Sequence, residues 1–141
     1  MSTDNKNDFK LIQDTKIMVI DDDFDIATLV KITLQRIGFK NVFTFTRPSL
    51  ALEHFRINQK DYSLVISDVR MPEMNGFEFA RYVVTIKPEI KVLLMTAFDI
   101  NEDAFVTMNV KYNNNITGII QKPVSLQKLA QIIIAKTKTK K

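Results

Sequence analysis

Apolar positions in this chain follow two rhythms that alternate from end to end. Short solid runs have the length and the β-branched content of buried strands. They are Lys16-Ile17-Met18-Val19-Ile20, Asn41 to Phe45, Tyr62 to Asp68 around Leu64-Val65-Ile66, Lys91 to Thr96, and Thr117 to Gln121. Between them the apolar residues recur at helical spacing. Ile26, Leu29, Val30, Thr33, Leu34 and Ile37 make one such stripe, and Gly38 stops it as a C-terminal glycine. Pro48 suits an early helical position, with Leu52, Phe55 and Arg56 carrying that helix to about Asn58. Phe77, Ala80, Arg81 and Val84 predict a third helix. Asn75 caps it with Glu78 three residues on, and Pro88 closes the segment. Asp99 and Glu102 repeat that signature for a helix to about Lys111, followed by the turn-rich Asn113-Asn114-Asn115. Ser125 opens a last amphipathic helix through Leu126, Leu129, Ile132 and Ile133.

Five strands thus alternate with five helices. Strict alternation implies a parallel sheet covered on both faces, and right-handed crossovers favour a doubly wound arrangement. The predicted fold class is α/β, a doubly wound five-stranded parallel sheet in the flavodoxin-like order 2-1-3-4-5. That order places the switch point between the first and third strands. Asp21 and Asp22, after the first strand, then end beside Asp68, after the third. Thr96 and Lys122 follow the fourth and fifth strands at the same edge.

Composition narrows the function. A chain of 141 residues with 45% hydrophobic content suits one domain with its own core. We expect a flexible tail over residues 1–14, the domain over 15–136 and a basic tail over 137–141. There is no cysteine, so neither a disulfide framework nor a thiolate metal site is available. No apolar run reaches the length of a membrane span and no signal peptide is visible, so the expected location is cytoplasmic, with no membrane partner. The net charge is +4, and Lys136, Lys138, Lys140 and Lys141 account for all of it. A charge-balanced body argues against nucleic-acid binding by the domain itself.

The candidate chemistry centres on Asp68. A buried run ends in this acid, and Pro72 and Asn75-Gly76 then turn the chain outward. An acid at the carboxyl end of a buried strand is costly unless that end is open to solvent or holds a cation. Three carboxylates meeting at one rim repel each other, and a hard divalent ion such as Mg²⁺ relieves the repulsion. Lys122 adds a positive charge and Thr96 a hydroxyl donor. The set describes a phosphoryl site with Asp68 placed as nucleophile.

These residues carry a resemblance. Ile17-Met18-Val19-Ile20-Asp21-Asp22-Asp23, Ser67-Asp68-Val69-Arg70-Met71-Pro72-Glu73-Met74-Asn75-Gly76, Met95-Thr96-Ala97 and Gln121-Lys122-Pro123, in that order and each at a predicted strand end, resemble the receiver domain of two-component response regulators. The similarity spans about residues 15–136. Chemotaxis members of that family are standard examples of the strand order above, so the order belongs to the resemblance as much as to the alternation. The resemblance implies that Asp68 accepts a phosphoryl group from the phosphohistidine of a sensor histidine kinase or a phosphotransfer protein. It implies Mg²⁺ as cofactor, held by Asp22 directly, by Asp21 partly through water, by Asp68, and by the backbone carbonyl of Arg70. Thr96 then binds a phosphoryl oxygen, Lys122 pairs with Asp68 and later with the phosphoryl group, and Pro123 follows that lysine through a cis bond. Asp23 is expected as a loop or helix-start residue.

Two departures stand out. Ile119 occupies the position three residues before the lysine where the family usually has Tyr or Phe. The 26-residue spacing from Thr96 to Lys122 is longer than usual, with the extra length around Lys111 to Ile116, on the face members use for partners. Tyr112 is a candidate substitute for the missing ring. Arg70 and Phe98, two residues beyond Asp68 and Thr96, are bulky and are expected to hinder water at the acyl phosphate. His54 is expected as a half-buried or surface helix residue, not a relay histidine, and Met71 and Met74 as packing.

Other classes make different demands. A haloacid-dehalogenase-like phosphohydrolase would use Asp21 and Asp23, one residue apart, but wants a larger domain and an acidic motif after the fourth strand, where Met95-Thr96-Ala97-Phe98 offers none. Three glycines and no Gly-rich loop leave nowhere to cradle a nucleotide triphosphate. A pseudo-receiver acting only as a binding module would not need the acids, threonine and lysine together. Taken as a full protein, with only a lysine-rich tail after the last helix, the chain is expected to act by docking to another protein, as a signalling domain with self-catalysed phosphotransfer and slow autodephosphorylation and not as an enzyme.

Overall fold

The computed structural model describes residues 10, 12–96, 102–111, 116–121 and 125–138. The five strands are β1 (Lys16–Ile20), β2 (Asn41–Phe45), β3 (Leu64–Asp68), β4 (Lys91–Thr96) and β5 (Gly118–Gln121). The helices between and after them are α1 (Phe24–Ile37), α2 (Pro48–Asn58), α3 (Gly76–Ile86), α4 (Glu102–Lys111) and α5 (Leu126–Lys138), with a 3₁₀ turn at Gln59–Asp61. All neighbouring strands pair in parallel, in the order β2-β1-β3-β4-β5. This is the doubly wound, flavodoxin-like sheet expected from the alternation together with the family resemblance.

Side chains on a strand alternate between faces, and the core divides accordingly. Met18, Ile20, Val65, Val92 and Leu94 pack with Phe55, Phe77, Phe79 and Val83 from α2 and α3. Ile17, Val19, Leu64, Ile66, Leu93 and Met95 pack with Val30, Leu34, Leu129 and Ile133 from α1 and α5. Strands buried on both faces read as solid apolar runs, which is why the runs located them.

Caps set several helix ends. The Asn75 carboxamide accepts the Glu78 N–H and the Glu78 carboxylate accepts the Asn75 N–H, both at 2.8 Å, which makes a full capping box. Ser125 accepts the Lys128 N–H at 3.1 Å. Gly38 has φ 125°, and the Gly38 and Phe39 N–H groups donate to the carbonyls of Gln35 and Leu34 at 3.1 Å each. That is the Schellman pattern, and it needs glycine.

Two strands start later than the apolar runs suggest. Ser63 makes bonds to both neighbours, donating its N–H to Lys16 O at 3.0 Å and accepting from Lys91 N at 3.5 Å, yet the ladder begins at Leu64. Tyr62 is buried through side-chain contacts with His54 and Phe55. Thr117 donates its N–H to Val92 O at 2.8 Å and accepts the Val92 N–H on its own hydroxyl at 3.0 Å, so a side chain replaces a ladder carbonyl there. Near the N-terminus, residues 12–14 are helical and Ile12 packs on the core, so part of the stretch expected as a tail contributes to packing. Asp99, Tyr112 and Asn113 to Asn115 lie outside the described residues.

Candidate functional site

The carboxyl ends of β1, β3 and β4 form one rim. Asp21 is the residue after β1, and its backbone N–H donates to Phe45 O at 3.1 Å, which holds it against the end of β2. The side chain is buried, and its Oδ1 accepts the Asp23 N–H at 2.9 Å. Asp22 follows in a bend and is exposed. Asp68 is the last residue of β3, half-buried. One carboxylate oxygen from each of Asp21, Asp22 and Asp68 lies within 4.8 Å of the others. Residues 46 and 47 positions apart in sequence therefore present one set of hard oxygen donors. Such a set of oxygen donors suits Mg²⁺.

Asp23 stays out of this set. Its Oδ1 accepts the N–H groups of Asp25 at 2.9 Å and Ile26 at 3.2 Å, and so caps α1. The adjacent acids thus divide their work: two face the rim and the third starts a helix. This is the division expected from cap preference.

Thr96 ends β4, 2% exposed. Its neighbour Met95 is registered with Asp68, and Met95 O accepts the Val69 N–H at 3.2 Å. The threonine therefore sits one strand over from the acid rim. Arg70 is exposed in the loop after β3. Lys122, Pro123, Ala97 and Phe98 lie outside the described residues. Ile119 is half-buried on β5 and packs with the α2/α3 core cluster, as do Met71 and Met74. His54 is half-buried and outside the acid cluster, with its Nε2 2.8 Å from the Tyr62 hydroxyl and its ring centroid 4.9 Å from that of Phe45. Burial, followed by the charge of Lys16, holds its pKa below the ordinary 6.5.

Two features of the rim escaped the sequence reading. Gly76, the first residue of α3, is pressed against the site: a Cβ there would lie 2.5 Å from Asp68 O. Glu73 reaches across to Arg47 and Ser49 at the start of α2. Asn75-Gly76 marks a turn in sequence, but neither contact has a local signal.

Fold and rim together define a class: a parallel α/β domain with an acid cluster at its topological switch point. The chain belongs to the response regulator receiver domain family, whose model matches residues 17–134. It is 30% identical over 129 residues to the two-component response regulator ARR10 of Arabidopsis thaliana, an alignment covering 89% of this chain and 22% of that protein. It is 29% identical over 121 residues to the response regulator receiver protein CpdR of Brucella abortus, covering 84% of this chain and 92% of the other. A response regulator receiver domain protein from Clostridium thermocellum superposes with a TM-score of 0.73 at 27% identity, covering 87% of this chain and 93% of that one. The chain therefore spans about a fifth of the plant regulator and most of the bacterial receivers. Receiver domains are signalling domains, and an acidic Mg²⁺ pocket is a family property. Among the described residues no helix is long and apolar enough to cross a membrane.

Proposed function

We propose that this receiver takes a phosphoryl group onto Asp68 from the phosphohistidine of a sensor histidine kinase or a phosphotransfer protein. The observation that carries the reading is the meeting of Asp21, Asp22 and Asp68 at the switch point. Asp21, Asp22, Asp68 and the Arg70 backbone carbonyl would hold Mg²⁺. When bound, the ion neutralises the carboxylates and stabilises charge on phosphoryl oxygens. A carboxylate oxygen of Asp68 attacks phosphorus, the phosphorus–nitrogen bond of the donor breaks, and the imidazole leaves with the electron pair. Thr96 donates its hydroxyl to a phosphoryl oxygen, and Lys122 supplies positive charge beside it. Water later hydrolyses the acyl phosphate slowly, which makes the domain a timed signal and not a turnover enzyme.

Phosphorylation then shifts an existing conformational equilibrium, and a docked protein reads the shift. Phe24 is 69% exposed one residue beyond the Asp23 cap and offers an apolar contact beside the acids. The use of Asp23 as a helix cap weighs against an Asp21/Asp23 phosphohydrolase, which would need that carboxylate at the reaction centre.

Incubation with Mg²⁺ and acetyl phosphate, followed by intact mass, tests the reading. A gain of one phosphoryl group is expected, lost with EDTA and in Asp68→Asn. Absence of the adduct in the wild type points to a pseudo-receiver. Turnover of a generic phosphate ester that Asp21→Asn abolishes and Asp68→Asn does not points to a phosphohydrolase.

A further inference from the structure

Glu73 is the one non-glycine residue with positive φ among the described residues, at 76°. The Met74 N–H donates to Pro72 O at 2.8 Å, so Glu73 is the centre of a three-residue turn of the strained hand. A residue with a Cβ remains there only where its surroundings hold it. Here its own carboxylate supplies the hold. Oε1 accepts the Ser49 N–H at 3.1 Å, and Oε2 accepts from the Arg47 guanidinium at 3.1 Å and the Ser49 hydroxyl at 3.3 Å.

The Ser49 N–H belongs to the first turn of α2, and Arg47, the residue before that helix, makes no side-chain cap. Such N–H groups need a partner from elsewhere, and an anion is favoured at that end of a helix. Glu73 therefore caps a helix 24 residues away in sequence. The Ser49 N–H first, then Arg47, hold its carboxyl below the usual carboxylate range, so the anchor is charged at neutral pH. Further along the same loop, the Gly76 N–H donates to Val69 O at 2.8 Å and the capping box fixes Asn75. Glu73 ties the span between Arg70 and Asn75 to a neighbouring element.

We propose that Glu73 is a positioning residue for the Mg²⁺ site: by pinning residues 69–75 to the start of α2, it sets the Arg70 backbone carbonyl beside the Asp68 carboxylate. This rests on the metal set proposed above and adds a residue that touches neither metal nor phosphoryl group. Outer contacts that orient metal ligands are worth about 10–100-fold in affinity. The anchor is partly exposed, so the low end of that range applies.

Calorimetric Mg²⁺ titration without phosphodonor, with amide exchange of residues 69–75 and the thermal midpoint, separates the outcomes. Glycine adopts positive φ freely, so Glu73→Gly keeps the turn and removes only the anchor. It is expected to bind Mg²⁺ about tenfold more weakly, with faster exchange in the loop and a near wild-type midpoint, because relief of the positive-φ strain offsets the lost α2 cap. Glu73→Gln keeps an acceptor for the Ser49 N–H and recovers part of the affinity. Wild-type binding that Asp22→Asn loses and Glu73→Gly keeps in full overturns the role of Glu73 alone. A wild type that does not bind Mg²⁺, or an Asp22→Asn variant that binds as tightly, overturns the metal site and this inference with it.

Discussion

Replacing Gly76 with alanine puts a methyl group where the end of β3 and α3 touch. The added Cβ would lie 2.5 Å from Asp68 O, 2.9 Å from Leu94 Cδ2 and 3.3 Å from the Val69 Cα. A carbon approaches a carbonyl oxygen comfortably at about 3.3 Å, so the first contact is short by about 0.8 Å. The carbonyl has no room to give: Asp68 is registered with Met95 in the ladder, and the Gly76 N–H is itself bonded to Val69 O at 2.8 Å. In an open helical position the same change would stabilise by about 0.4–1 kcal/mol through the unfolded chain. Overpacking costs about 1–3 kcal/mol. The clash wins, and Gly76→Ala should lose about 1–2 kcal/mol, or about 3–6 °C in melting temperature. Thermal and urea unfolding measure it. A variant that melts at or above the wild type would refute the close approach of α3 to Asp68.

Three further outcomes are expected. Asp23→Ala should cost about 1 kcal/mol through the lost α1 cap while leaving Mg²⁺ affinity intact, whereas Asp22→Ala should do the reverse; equal loss of affinity in both would overturn the assignment of Asp23 as a cap alone. For His54 the folded pKa lies below 6.5, so the fold prefers the neutral ring: its contribution is full above about pH 6.5 and declines as pH falls through that value toward the lower folded pKa. Urea midpoints from pH 8 to pH 5 should show this decline, and His54→Gln should flatten it. Arg70→Gly with Phe98→Gly should speed loss of the phosphoryl group several-fold after the donor is removed, and an unchanged decay rate would mean that these side chains do not screen the acyl phosphate.

What the sequence revealed and what it hid divide along a physical line. Caps are local, so Asn75 with Glu78, Ser125 and Gly38 could be read from neighbours a few residues away. Strands buried on both faces appear as solid runs; their alternation with helices gave the parallel sheet, and the strand order that brings Asp21 and Asp22 to Asp68 came as much from the family resemblance. Run length alone could not tell a ladder residue from one buried by side-chain contacts, so Tyr62 and Thr117 read as strand. Tyr62 is buried by His54 and Phe55, while Thr117 stands in for the ladder with its hydroxyl. Glu73 was invisible for a different reason. Its partners lie 24 and 26 positions back, and a glutamate after proline carries no mark of positive φ. The crowding at Gly76 likewise exists only once β3 and β4 stand side by side.

The register of β1 on β3, Ile17 to Leu64 through Ile20 to Ser67, also bears on when the protein becomes able to signal. The acids from the first strand and the acid from the third share no local structure; they meet only when the central strands have zipped together. A nascent or unfolded chain thus carries every acidic residue and still has no receptive pocket. Assembly of the acid cluster is then a property of the finished sheet, and the phosphodonor proposed for Asp68 would find a competent site only in mature molecules.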